Sequence, residues 1–145
     1  MTELHIRECR HEEAEAVLAL WRHAETTASV TDTIAHVQNA IAVDHAHVLV
    51  AEVGSGLVGS VIGTFDGWRG NIYRLAVHPS YRRLGLARAL VAEVAEHLAQ
   101  QGVKRITALV EKDHPWATGF WDDVDYERDI RMIRYVRSLS SGTGQ

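Results

Sequence analysis

The chain has 145 residues, 46% hydrophobic and 23% charged, with 2 prolines and a formal net charge of −4. That length suits one ordinary domain, and the apolar fraction is sufficient to build a core, which excludes wholesale disorder. The acidic balance excludes a general electrostatic pull toward nucleic acid or anionic lipid, so an anionic partner must be held locally.

The single cysteine, Cys9, has no partner for an intramolecular disulfide, which fits a reducing, cytoplasmic setting. Glu3, Arg7 and Glu8 interrupt the first ten residues, and no apolar run reaches the roughly 18 residues of a membrane span. A soluble protein without a membrane partner is expected. Of the nine histidines, His45 and His47 stand two apart ahead of an apolar run, a spacing that reads as surface residues before a strand, and no metal site is expected.

Alternation of Leu4 and Ile6 with His5 and Arg7 predicts a short first strand. Ala14, Val17, Leu18 and Trp21 share one side of a helix over residues 12–24, and Ile34, Val37, Ala40 and Ile41 mark a second helix capped by Thr31 or Asp32. The polar connection at 25–30 is where a substrate is expected to be gripped. Residues 47–53 and 57–65 then read as a hairpin about Gly54, Ser55 and Gly56, and Asp66 to Gly70 turns the chain into a third antiparallel strand over 71–78.

Pro79 ends that strand, and Ser80 or Tyr81 is expected to open a long helix carrying Leu84, Ala87, Leu90, Val91, Val94, Ala95 and Leu98 to a stop at Gly102. A strand over 103–110, a short helix over 116–123 and a last strand over 130–136 complete the order. Residues 1–137 form the expected single domain and 138–145 a flexible tail. Strand and helix order predicts an α+β, or mixed α/β, domain whose mixed sheet is covered by helices.

The chemistry concentrates between Leu75 and Arg88, where a strand, a turn and a helix follow one another. A helix start offers unpaired N–H groups and a partial positive charge, so it holds a phosphate without a net-basic protein. Gly85 and Ala87 keep the backbone approachable, Arg82, Arg83 and Arg88 add local charge, and Leu84 and Ala87 are expected to anchor the helix to the sheet. A dinucleotide fold would need G-x-G-x-x-G in an early βαβ unit, and a P-loop would need G-x-x-x-x-G-K-[ST]; neither pattern is present here.

Arg82-Arg83-Leu84-Gly85-Leu86-Ala87 matches [Q/R]-x-x-G-x-[G/A], and with the preceding Leu75-Ala76-Val77-His78-Pro79 the chain resembles the GNAT N-acetyltransferase superfamily from about Ile6 to Val136. The resemblance implies a three-layer fold with a central mixed, mostly antiparallel sheet flanked by helices. It also implies acetyl-CoA as cosubstrate, with no metal. Leu75, Ala76 and Val77 would border the pantetheine arm, and backbone amides from Arg83 through Leu84, Gly85, Leu86 and Ala87 to Arg88 would meet the diphosphate. The Val77 N–H would polarise the thioester carbonyl. A later family pattern, N-x-x-A-x-x-F-Y-x-x-x-G-F, falls on residues 114–126, where Ala117 and Phe120 match and His114, Trp121 and Asp125 depart. His114 and Ala117 are thereby placed at the cofactor.

Trp121 stands where a tyrosine commonly protonates the leaving thiolate, and an indole does not titrate in a useful range. Asn71 falls where some members carry a glutamate base. Asp66 and Glu111 are the alternatives through water, each also readable as an ordinary turn or strand-end residue; Tyr73 is either a cleft or a core aromatic. Transfer of an acetyl group to a primary amine by direct attack is the leading expectation, because Cys9 lacks an assigned base and thiolate is a good leaving group. A non-catalytic acyl-CoA-binding module is the second reading, and a nucleic-acid-binding protein using the three arginines the weakest. The acceptor, a small-molecule or protein amine, is bordered by segments holding Glu25, Asp32, Asp66 and Trp68; a homodimer, common in the resembling family, stays open.

Overall fold

The computed structural model describes residues 3–139. Five strands, β1 (Leu4–Glu8), β2 (Ala46–Val53), β3 (Gly56–Phe65), β4 (Gly70–Val77) and β5 (Ile106–Ala108), form one sheet in that order. The first four are antiparallel and β5 runs parallel to β4. Four helices accompany them: α1 (Ala14–His23), α2 (Ile34–Ala42), α3 (Leu86–Gln100) and α4 (Pro115–Asp123).

Strand β2 shows why the sheet has two covered faces. Its run of apolar residues alternates by side, with Leu49 and Ala51 in one core and Val48 and Val50 in another. A strand buried on both faces reads as continuously apolar rather than alternating. The first core is closed by α3 through Leu86, Leu90, Val91, Val94 and Leu98 and includes Trp121 of α4. The second is closed by Val17, Leu18 and Trp21 of α1 with Val37 of α2.

Glycines set how closely α3 approaches. A Cβ on Gly59 would stand 2.9 Å from Leu90 and one on Gly70 2.9 Å from Val103, while one on Gly63 would overlap Val94. The helix therefore lies against bare backbone on β3.

One irregularity organises the other face. Strand β3 pairs Ser60 with Ala76 but Ile62 with Tyr73, so Arg74 and Leu75 together oppose a single residue. This β-bulge flips the alternation: Ile72 and Val77, five apart, join the α3-side core, while Ala76 faces α1. Arg74 occupies the left-handed region at φ +53. Its carbonyl accepts the hydroxyl of Ser60 (3.3 Å), and Ser60, fully buried, accepts the indole N–H of Trp21 (2.9 Å).

Several expectations are corrected. Thr33, rather than Thr31 or Asp32, caps α2 by accepting the His36 N–H at 3.1 Å. The long helix begins at Leu86, not at residue 80 or 81, because left-handed conformations at Arg83 (φ +66) and Gly85 (φ +83) interrupt the helical path after a short turn at Pro79–Tyr81. Leu84 consequently points into solvent, 72% exposed, and does not anchor the helix. Only Ile106–Ala108 of the expected 103–110 strand pairs, although Val103, Ile106, Ala108 and Val110 do share the α3-side core.

No strand forms over 130–136: Ile130 is 91% exposed and Tyr135 88%, since alternation supplies no backbone partner where β5 pairs over only three residues. Of the expected tail, 138 and 139 are exposed without regular structure, and 140–145 lie outside the described residues.

Two substitutions test this architecture. Gly63→Ala should cost about 1–3 kcal/mol in chemical denaturation, because α3 must be pushed off the sheet. Ser60→Ala should cost a similar amount, about 1–3 kcal/mol, by orphaning the buried Trp21 N–H, and Trp21→Phe in the Ser60→Ala background should recover part of it; strict additivity would contradict the hydrogen-bonded link.

Candidate active site

Just before the bulge, β4 and β5 part company. Their pairing stops at Ile72 with Ala108, closed by the Leu109 N–H on the Ile72 carbonyl (3.0 Å). The following stretch of β4 therefore has one edge without a strand. His78 donates its N–H to Val58 (2.8 Å), so alternation along the antiparallel pair turns the peptide groups of Val77 toward that free edge. The Val77 carbonyl there accepts Arg82 Nε (3.0 Å), and by the same alternation its N–H faces that edge.

The free edge opens on a cleft of about 670 Å³. Leu75, Ala76, Trp116 and Trp121 give it an apolar wall, and Tyr73, Asp32, His36 and Glu111 a polar one. Such a mix of apolar surface and few polar groups suits a small organic ligand. A second, more open recess continues from it past Glu25, Lys112, Asp113 and Arg134.

Beyond β4 the turn at 82–85 leads into α3. Gly85 caps the helix, and with Ala89 donating to the Gly85 carbonyl (3.0 Å), the amides of Leu86, Ala87 and Arg88 precede the first intrahelical bond. Arg83 and Arg88 are exposed beside them. Consecutive amides around a left-handed residue form a concave anion trap, and a helix start adds to it.

Arg82 departs from expectation. Its guanidinium turns inward, with Nη2 on the Ala24 carbonyl (3.1 Å) and the group 4.6 Å from the centre of Trp116. Burial lowers its pKa, with Glu25 opposing that shift. Two carbonyl acceptors and an indole face hold it there, engaged within the protein.

His114 caps α4: Nδ1 accepts the Ala117 N–H (3.3 Å) and Nε2 reaches the Ala24 carbonyl (3.2 Å). One nitrogen accepts and the other donates, which defines the neutral Nε2–H tautomer and leaves neither free to move a proton. Ala117 lines the cleft beside it. Trp121 is buried edge-on against Phe120 (5.3 Å between centres) and Tyr126 (4.8 Å). Tyr126, its phenol pushed up in pKa by burial and then by Asp125, is not among the residues lining the cleft.

The carboxylates sort clearly. Asp66 lies outside the cleft as an exposed turn residue, accepting N–H groups from Trp68 (2.9 Å) and Arg69 (2.8 Å), bonds that lower its pKa. That removes it, with Trp68, from the expected acceptor border. Asn71 sits in the middle of the sheet between Thr64 and Thr107. Asp32 is paired with Arg74 at 2.8 Å. Glu111 lines the cleft and binds the Thr27 N–H through Oε1, while Oε2 makes no hydrogen bond among the described residues.

Arg74 was not expected at the site. Its Nη1 bonds Thr26 Oγ1 and the Thr27 carbonyl, each at 3.0 Å, and its guanidinium lies 4.8 Å from the centre of Trp21. No glycine marks its left-handed position in the sequence. Among the described residues no group of three or more His, Cys, Asp or Glu side chains is arranged to hold a metal, and no helix is long and apolar enough to cross a membrane.

This arrangement has relatives. Residues 6–126 match the model of the acetyltransferase (GNAT) family. An acetyltransferase of Yersinia pestis (strain Pestoides F) is 34% identical over 131 residues, 90% of this chain and 93% of its own. One of Pectobacterium atrosepticum is 34% identical over 124 residues, 86% and 88% of the two chains.

Among solved structures, an aminoglycoside N-acetyltransferase in complex with CoA superposes with a TM-score of 0.79 at 16% identity, covering 96% of this chain and 97% of that one. A ribosomal-protein-alanine N-acetyltransferase of Brucella melitensis gives 0.71 at 18%, covering 94% and 100%. At such identity the likeness establishes the α+β fold. A family match across most of the length, joined to relatives above 30% identity and to a splayed β4–β5 edge leading into an amide-rich turn, makes this chain an acetyltransferase of the GNAT family.

Proposed function

We propose that this acetyltransferase carries acetyl-CoA along the free edge of β4 and transfers its acetyl group to a primary amine by direct attack. The observation that carries the reading is the unpaired edge at Val77, which passes within five residues into the turn at 82–85. A pantetheine arm bears amides that satisfy an unpaired strand edge. The diphosphate suits the amides at Arg83 to Arg88, a local anion site in a chain of net charge −4.

The thioester carbonyl is polarised by the Val77 N–H. The amine nitrogen attacks the carbonyl carbon, the C–N bond forms and the C–S bond breaks. Coenzyme A leaves as the thiolate. The proton lost by the amine passes through water to Glu111, the cleft carboxylate with a free oxygen. Trp121 supplies an apolar wall and no proton, so the thiolate is protonated from water. Rate enhancement then comes mainly from orientation and carbonyl polarisation.

An acyl-cysteine route is disfavoured, because Cys9 is buried in the α1-side core and burial pushes its thiol up to about 12. Neighbouring folds include aminoglycoside and ribosomal-protein-alanine acetyltransferases, which supports small-molecule and protein amines alike as the acceptor panel.

Coenzyme A release should exceed thioester hydrolysis for at least one member of a panel of peptides, polyamines, amino acids and aminoglycosides. Cys9→Ala should retain that turnover. Thermal stabilisation by acetyl-CoA with no turnover on any amine would instead establish a binding module. In the active enzyme, Glu111→Gln, whose amide oxygen still accepts the Thr27 N–H, should lower kcat about hundredfold with little change in KM; an unchanged kcat would remove Glu111 as the proton acceptor.

A further inference from the structure

The segment following α1 crosses the mouth of the splay, and among the described residues every long-range hydrogen bond that holds it comes from one lip or the other. The Ala24 carbonyl accepts Arg82 (3.1 Å), which follows β4, and His114 (3.2 Å), which follows β5. Thr27 repeats the pattern three residues on. Its carbonyl accepts Arg74 of β4 (3.0 Å), and its N–H is held by Glu111 beyond β5. Two consecutive points of one strap are thus bonded across the opening.

We infer that Arg74 is a positioning residue that fastens this strap to the cofactor strand, so that filling the β4–β5 splay aligns the acceptor side of the cleft. The inference rests on the acetyl-CoA reading above.

Three features make Arg74, which itself borders the cleft, a fastener of the strap. Three of its five N–H donors are engaged within the protein, on Thr26 Oγ1, the Thr27 carbonyl and Asp32 Oδ1. Its charge is answered by Asp32, both side chains being only 19% exposed. Its backbone carbonyl is held by the Ser60 hydroxyl, and its guanidinium lies on the Trp21 face. A residue held in a sparsely populated conformation persists only where its surroundings over-determine it, and here the surroundings are α1, β3 and the strap.

Thr26, Thr27, Ser29, Thr31 and Asp32 of this segment line the cleft. They have few buried apolar contacts to hold them, as Thr27, Ser29 and Thr31 are exposed. Their placement therefore depends on the two lips. A ligand that sets the separation of the lips sets the strap, and by reciprocity an acceptor gripping the strap tightens the cofactor.

Hydrogen exchange on the full chain, with CoA as probe, decides the matter. In the wild type, CoA should slow exchange both at 83–88 and at 24–32. In Arg74→Met, exchange at 24–32 should be faster by about fivefold or more and insensitive to CoA, while 83–88 is still protected; Arg74→Lys should fall between. With an accepted amine, Arg74→Met should raise the acceptor KM about tenfold and leave kcat within about threefold. Should Arg74→Met lose its cooperative melt, Asp32→Asn, which removes the charge partner and keeps the shape, gives the same readout. Protection at 83–88 without any change at 24–32 in the wild type would overturn the inference, as would wild-type exchange in Arg74→Met. Absence of protection anywhere would overturn the acetyl-CoA reading instead.

Discussion

A chain of two hydrogen bonds, one buried from the Trp21 indole to Ser60 and one partly buried from Ser60 to the Arg74 carbonyl, is the constraint on which the site depends. It stabilises an extra residue in β4 where the sheet would otherwise run straight. Because side chains alternate along a strand, that one residue exchanges the faces of everything after it. Ala76 is thereby delivered to the cleft and Val77 to the α3-side core, beyond the last pairing of β4 with β5 at Ile72. A polar side chain in a core is costly unless fully satisfied; Ser60 both accepts and donates, so the cost is met by fixing a unique backbone path.

Electrostatics here are arranged by position and not by total. The chain is acidic overall, yet three amides of α3 and the exposed Arg83 and Arg88 gather positive potential at one end of the sheet. Arg82, next in line, is withdrawn to brace Ala24 and Trp116. Neighbouring arginines in one motif so divide between an outward charge and an inward strut, a division that burial and acceptor geometry decide.

Much of the fold was legible because it is written in periodicity. The run of β2, the α1 stripe of Ala14, Val17, Leu18 and Trp21, and the α3 stripe from Leu90 to Leu98 all report which surfaces must meet. The turn at Gly85 was legible as an approachable backbone, and the strand before it as its support. What escaped was set by long-range partners. Arg74 looks like any polar strand residue, and only Trp21, 53 positions earlier, and Ser60 reveal its role. His114 likewise reads as a substituted asparagine until the Ala24 carbonyl is seen beside it. The expected strand at 130–136 shows the opposite limit, alternation without a ladder to join.

The bare backbone of Gly59 and Gly63 beneath α3 leaves an asymmetry in how this protein can change. On that side an added methyl group presses on α3, whose first turn carries the amides of Leu86 to Arg88, so drift there is penalised at a distance. On the opposite side, the hydroxyl-rich strap borders open volume and accepts new side chains without disturbing the layer behind it. Variation confined to one surface of the sheet can alter the lining of the cleft while α3 and its first turn stay as they are.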